Sequence, residues 1–433
     1  MSVREAPPVP DVFDPRRYAA GVPYADYRVL RDHHPVARQE EPEVLGWPAG
    51  PGFWAVTRHT DVVRVLKDSA TYSSHLGATQ IRDPDPEDLP FIRCMMLNQD
   101  PPQHGRLRRL VSRAFTPGRI ERFAAIARER ARTLLVRALD EARSGDGTAD
   151  LVAAVTDEYA LLNLADLLGV PASDRRLLLH WTQRVIGYQD PDEAAPPVLD
   201  AAGKPVDPRS PAMLRDMFDY ARQLAAYKRE RPAEDILTTL ALPPDSAPPG
   251  PGRTSGTELA DAELEMFFFL LTVAGNDTVR SAAPGGLLAL AEHPQAYGLL
   301  RAGEVGVECA VDELLRWHPP VLSFRRTAAR DTELAGRRIR ASDKVVVFHA
   351  SANRDERVFA GPDRLDLART PNPHVSFGDG PHVCLGAHFA RLQLRLLYEE
   401  VLRTLPGLRP AGPPVRLVSN FINGIKSLPL SIA

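Results

Sequence analysis

The chain has 433 residues, 44% of them apolar and 25% charged, with a formal net charge of −3. That is ample for a large buried core, and the near-neutral mixture of signs excludes a general nucleic-acid binder, which is normally distinctly basic. Three widely spaced cysteines, Cys94, Cys309 and Cys384, suggest neither a disulfide framework nor a zinc knuckle and fit a reducing cytoplasm.

Residues 1–13 are proline-rich and polar and read as loosely ordered, with no secretory leader or membrane-length apolar run. Gly52-Phe-Trp-Ala-Val-Thr57 has the composition of a strand, and Thr60 is placed to cap a helix whose apolar face is Val62, Val63, Val65 and Leu66. Residues 73–96 lack periodicity and hold Gly77, Asp83, Pro84, Asp85 and Pro86, which predicts a long loop. From Pro117 to Leu168 apolar residues return at three-to-four spacing through Ile120, Phe123, Ala127, Ala131, Leu134 and Leu135, which predicts helix. Helix dominates the middle of the chain, so the expected class is mainly α with a small β region, read as one domain over 1–433. Residues 189–211 and 242–256 are proline-rich without an apolar period, and the second reads as a solvated Pro/Gly-rich loop.

Ser255-Gly-Thr-Glu258 has capping-box spacing and Asp261 is a second candidate cap for a helix in which Leu264 to Val273 is almost wholly apolar. A helix apolar all round belongs in the interior. The run meets Ala274-Gly275-Asn276-Asp277-Thr278, where a carboxylate and a hydroxyl adjoin in mid-helix and need a reason to be there. Thr278 can donate to the Ala274 carbonyl four residues back, and Gly275 has no side chain, so a groove is expected at this turn. Pro284, followed by Gly285 and Gly286, removes the bond to the Arg280 carbonyl and is expected to bend the helix again. Glu313-Leu-Leu-Arg316 then sets a carboxylate and a guanidinium on one helical face, a weak pair if exposed.

His374-Val-Ser-Phe377-Gly378-Asp-Gly380-Pro-His382-Val-Cys384-Leu-Gly386-Ala-His388-Phe-Ala390 is a glycine-broken loop running into an amphipathic segment. Gly378 and Gly380 allow torsions closed to other residues, and Gly386 lets a flat ligand approach the backbone. Cys384, just ahead of a helix start, faces unpaired N–H groups and the positive end of the helix dipole, which favours a metal-binding thiolate.

These stretches resemble the motifs of the cytochrome P450 superfamily. Its phenylalanine-glycine-x-glycine-x-histidine-x-cysteine-x-glycine signature is filled from Phe377 to Gly386, Ala274 to Thr278 is similar to its distal-helix motif, and Glu313 to Arg316 is similar to its glutamate-x-x-arginine pair. The resemblance covers nearly the whole chain and implies the P450 fold, a triangular helical prism around a long distal helix. It implies haem b with Cys384 as the axial iron ligand, and Phe377, Gly378, Gly386, Ala274 and Gly275 around the cofactor. Dioxygen is the implied co-substrate, with Asp277 and Thr278 timing proton delivery so that electrons are not lost as hydrogen peroxide. Arg369 is implied to join the Glu313–Arg316 pair and hold the cysteine loop in register. His104 and Arg108, Arg326 (with Arg325 able to exchange for it) and His374 are the implied propionate partners.

Electrons are implied to come from NAD(P)H through a ferredoxin reductase and ferredoxin, with Arg106, Arg109, Arg113, Arg391 and Arg395 available to steer an acidic carrier. No nucleic acid and no membrane span is expected, and the protein is expected to be a soluble cytoplasmic monomer. Residues 189–211 fall where the resemblance implies a substrate lid. Gly52-Phe-Trp-Ala-Val-Thr-Arg-His, Met96-Leu-Asn-Gln-Asp-Pro-Pro-Gln-His, Phe324-Arg-Arg-Thr-Ala and Ser419-Asn-Phe-Ile-Asn-Gly-Ile-Lys426 are similar to actinobacterial hydroxylases of steroids and methyl-branched lipids. Asn423-Gly424 is a hairpin-turn signal whose tip, in the family, reaches the substrate pocket, and Ile81, Val273, Val321, Leu322 and Ile422 are the expected apolar wall. The implied reaction is hydroxylation of an apolar small molecule such as a steroid, fatty or branched lipid. Epoxidation, ring coupling or desaturation by a natural-product tailoring oxidase, and a non-catalytic haem sensor or carrier, are the alternatives.

Overall fold

The computed structural model describes residues 6–194, 196, 198–199, 203, 206–242 and 259–433, and among them helices dominate while short strands gather into small sheets. Phe53–Val56 is the strand that the sequence suggests. It pairs antiparallel with Val36–Gln39 and parallel with Lys344–Phe348; the sheet continues through Ser323–Ala328 to Tyr72–Ser73. Lys344–Phe348 is buried at every position, as a central strand covered on both faces should be. Thr60 does not cap its helix but lies inside it, since the helix His59–Lys67 has Arg58 at its N-cap. The distant Asp355 Oδ2 accepts from the His59 N–H at 2.9 Å, so a carboxylate from another segment meets its first donor.

Residues 117–168 are not helical throughout. Ala124–Ser144 ends at Gly145, Thr148–Asp150 pairs with Pro429–Ser431 near the C-terminus, and a π-helical turn at Val152–Thr156 leads into Asp157–Leu168. Periodicity reports one segment at a time, so it missed a strand whose partner is so remote. The stretch 73–96 is irregular apart from single helical turns such as Leu89–Ile92.

The interior helix is Asp261–Glu292, with Leu264, Phe267, Phe268 and Phe269 buried. Asp261 is its first residue rather than its cap, and Glu263 Oε2 accepts from the Ala260 N–H at 2.9 Å. The capping sequence at 255–258, most of 242–256, residues 1–5 and part of the 189–211 segment lie outside the described residues. The helix runs through Pro284 without ending, and the glycines beyond it are explained by packing. A Cβ on Gly285 would lie 2.0 Å from His318 Cδ2, and one on Gly286 2.0 Å from Tyr398 Oη, which bonds the Ala282 and Ala283 carbonyls at 3.3 Å each.

Three apolar cores result among the described residues. The largest joins Asp261–Glu292 to the helices around it through Tyr159, Trp181, Phe268 and Leu397, a second packs Tyr27, Phe53 and Phe348 on one face of the five-stranded sheet, and a third gathers Val56, Val62 and Val347 on the other. Ile81 and Leu322 are buried in this second core, and neither lines the main cavity, which corrects their expected place in a substrate wall. Each fully buried Leu or Phe contributes about 2–3 kcal/mol, so these positions are accounted for by packing. Among the described residues no helix is long and apolar enough to cross a membrane.

Candidate active site

The cysteine loop turns on Gly378 at φ +71° and Gly380 at φ +69°. A Cβ on Gly380 would also lie 2.6 Å from the Leu66 carbonyl oxygen, so both torsion and space require glycine. The Cys384 N–H donates to the Phe377 carbonyl at 2.9 Å and closes the loop, after which Gly386 opens the helix Ala387–Thr404. A Cβ on Gly386 would meet nothing within 4 Å, so open space adjoins the loop there. Phe377 lies 4.4 Å beneath the Arg391 guanidinium.

Protein surrounds the Cys384 thiol, yet the residue keeps an open surface. Burial pushes the thiol up; the Gly386 N–H, Arg108 and Arg391 oppose that shift. Burial thus opposes the ready thiolate expected from the helix terminus, and a cation bound at the sulfur would favour the anion.

Behind the loop, Glu313 and Arg316 are wholly buried and bond through Nε at 2.7 Å and Nη2 at 2.8 Å. Arg369 Nε adds a bond to Glu313 at 3.1 Å, while the Asp366 N–H and Asn372 Nδ2 donate at 2.9 and 3.2 Å. Arg316 Nη1 in turn meets the carbonyls of Asn353 and Pro362 at 2.8 and 2.9 Å. Saturating both charges in this way is what makes their burial tolerable.

A second group brings His104, Arg108, Arg326 and His382 together. The two imidazole rings are 4.0 Å apart; burial, then Arg326, His104 and Arg108, hold His382 down to about 2. Burial also pulls Arg326 down to about 10, and its Nη1 bonds only the Arg325 carbonyl, at 2.9 Å, with no ion pair among the described residues. The nearby Asp100 carboxylate is engaged by Ser73 and, at 2.8 Å, by the Ser74 N–H. Arg325 is not interchangeable with Arg326, because Asp83 holds it at 2.5 Å.

His374 does not join this group. Its Nε2 lies 3.3 Å from Asp312 Oδ1 and its Nδ1 accepts from the Ser376 N–H at 3.2 Å, so both nitrogens are engaged elsewhere. His382, from inside the quoted loop motif, stands in this group instead, against the His104 ring. A buried guanidinium with no carboxylate, flanked by a second arginine and two imidazoles, fits the two propionates of a haem, and the open Cys384 sulfur fits its iron.

On the interior helix, Thr278 Oγ1 donates to the Ala274 carbonyl at 2.8 Å, as expected. The groove expected at Gly275 is a packing contact instead. A Cβ there would lie 2.8 Å from Leu164 Cδ1, and Gly275 is not among the residues lining the cavity. Ala274, Asp277 and Thr278 do line it, in a volume of about 140 Å³ walled by Val273, Val321 and Ile422 among others. Burial raises the Asp277 carboxyl to about 7, with Arg280 at 3.9 Å opposing the shift. Asp277 also faces a second hollow lined by Gln183, Glu193, Arg280 and Lys426.

Ile422 reaches the cavity by a route other than the expected tight turn. Val415–Arg416 and Ile425–Ser427 pair across the longer loop 417–424, and neither Asn423 nor Gly424 has the positive φ that a two-residue hairpin turn needs. Asn423 is held by the Pro319 carbonyl and by His318, and Val321 bridges to Ile422.

Residues 307–407 match the family model for cytochrome P450. The steroid C26-monooxygenase of Mycobacterium tuberculosis is 38% identical over 97% of this chain and 92% of its own length; the methyl-branched lipid omega-hydroxylase of the same organism is 36% identical over 94% and 90%. A crystal structure of a Mycobacterium marinum cytochrome P450 in complex with pseudoionone superposes with a TM-score of 0.81 at 37% identity, covering both chains completely. The cysteine loop, the saturated ion pair and the cation cluster thus sit in a fold and sequence shared along their whole length with haem-thiolate enzymes, and the chain belongs to the cytochrome P450 family as a monooxygenase.

Proposed function

We propose that this monooxygenase hydroxylates a steroid, a fatty chain or a methyl-branched lipid at an apolar carbon brought to Thr278. The observation that carries the reading is the cavity wall, in which Phe91, Met95, Phe269, Leu270, Val273, Val321 and Ile422 converge on the same space as Ala274 and Thr278. Such a wall binds apolar ligands and excludes water, and it discriminates little among similar shapes. The curated relatives named for steroids and branched lipids support the same class.

In this reading Cys384 holds the haem iron, and Arg326, Arg108, His104 and His382 hold the propionates. The haem supplies the redox centre at which dioxygen is reduced. Asp277, raised to about 7, takes up and releases a proton near neutral pH. Thr278 Oγ1, whose own hydrogen is committed to the Ala274 carbonyl, accepts a proton on its free side and releases its own when the rotor turns. A ferredoxin and its reductase are the proposed electron donors in a cytoplasmic setting, to which three free cysteines are suited. Arg109 is exposed for such a carrier, whereas Arg106, Arg391 and Arg395 are tied to Glu263, Asp312 and Glu308.

The test combines the carbon monoxide spectrum of the reduced protein with spectral titration by sterols and branched fatty chains. A thiolate-type spectrum and saturable displacement of water from iron are expected. A histidine-type spectrum, or no response to any apolar ligand, would overturn the proposal.

A further inference from the structure

Two of the cavity's lining cations, Arg82 and Arg209, are stacked on aromatic rings that line an adjoining hollow. The Arg82 guanidinium lies 3.3 Å over Trp47, Trp47 meets Tyr188 edge-on with centroids 5.6 Å apart, and Arg209 lies 4.5 Å over Tyr188. Tyr188 Oη donates to Gln80 Oε1 at 2.7 Å, and Arg209 donates to the same oxygen. Gln80, Arg82 and Arg209 all line the cavity; among its lining residues the other charged group is Asp277.

The two guanidiniums differ in what they have left to offer. Arg209 is bidentate on Asp207, at 3.0 Å from Nε and 2.8 Å from Nη2, so its charge is met. Arg82 Nη1 is buried with no acceptor, and Arg82 has no ion pair among the described residues. Its neighbours carry the loop's structural contacts. The Ile81 carbonyl accepts from Arg325 and Lys344, and Asp83 pairs with the same two cations at 2.5 and 2.7 Å. Stacking on Trp47 fixes the Arg82 plane, and among the described residues no carboxylate comes within ion-pair distance of it; Asp207 and Glu41 act on its charge only from farther off. A guanidinium nitrogen shut from water without an acceptor is costly, and the cost is relieved by a ligand that brings an anion.

We propose that Arg82 is a specificity determinant that receives the carboxylate of a lipid acid, whose apolar body lies against Val273, Val321 and Ile422. The inference rests on reading this cavity as the substrate site, and it narrows the substrate class from apolar molecules to amphipathic ones. The planar fork of arginine matches a carboxylate through two parallel charge-assisted bonds, whereas a neutral head group leaves the charge unmatched. Arg209 cannot substitute, because Asp207 already occupies it.

The test titrates the haem-loaded enzyme with dodecanoic acid and 1-dodecanol, reading displacement of water from iron. In the parent protein the acid is expected to bind roughly tenfold more tightly than the alcohol, the size of a charge-assisted hydrogen bond. Arg82→Gln is expected to abolish that preference by weakening the acid alone, and Arg82→Lys to keep part of it. Equal affinities in the parent protein would overturn the inference while leaving the substrate cavity intact. Equal weakening of both ligands by Arg82→Gln would reduce Arg82 to a packing role on Trp47. No shift with either probe, beside a normal carbon monoxide spectrum, would remove both the inference and the cavity reading beneath it.

Discussion

Arg369 Nε donates to Glu313 Oε2 at 3.1 Å across 56 residues of chain, so the segment before the cysteine loop is bound to the helix behind it by a buried charge. Glu313→Gln removes that charge and leaves Arg316 and Arg369 without a counter-ion. We expect a loss of about 3–5 kcal/mol and little haem uptake, measured by denaturation and by the carbon monoxide spectrum. Wild-type stability and full haem content in the variant would show that the network is dispensable.

Arg326 predicts the opposite sign in the haem-free protein. It is buried without a carboxylate, so Arg326→Met should leave the apoprotein as stable as the parent or more so. The same variant should release haem faster to a scavenger protein. Parallel loss of apoprotein stability would point to a structural role instead.

Thr278→Ala keeps the cavity and deletes the hydroxyl held by Ala274. Product formed per NAD(P)H consumed should fall several-fold while hydrogen peroxide rises, because proton delivery is no longer timed. Unchanged coupling would rule out the proton relay.

Gly286→Ala forces a Cβ against Tyr398 Oη in a packed interior. A destabilisation of about 1–3 kcal/mol is expected in denaturant titration. Gly298→Ala, in the helix Pro294–Arg301 where a Cβ meets nothing within 4 Å, serves as the control and should be stabilising by about 0.5–1 kcal/mol.

Buried histidines set an acid limit. Burial holds His318 down to about 3 and His349 to about 4, against 6.5 when unfolded. Between those values the unfolded chain binds more protons, so stability rises with pH and is lost as pH falls below about 6.5. At pH 5 each histidine removes about 2 kcal/mol relative to neutral pH. Thermal melts from pH 7.5 to pH 5 should show the decline, and His349→Leu should flatten it. A flat profile in the parent protein would contradict the burial.

The loop at Cys384, the Asp277–Thr278 pair and the Glu313–Arg316 pair were all legible in the sequence. In each, the residues lie within a few positions of one another, and local backbone geometry brings them together. Mainly helical architecture was legible for the same reason, because an apolar face repeats within each helix. What the tertiary structure decided concerns side chains from remote segments. Only packing shows that His382 rather than His374 stands with His104, that Gly275 faces Leu164, that Ile81 and Leu322 are core, and that Thr148–Asp150 is a strand. Burial decided the rest: it pushes the Cys384 thiol up, raises Asp277 to about 7, and leaves Arg82 and Arg326 as charges without an ion-pair partner among the described residues. Desolvation is a property of everything packed around a group, and that is why no local stretch of sequence could report it.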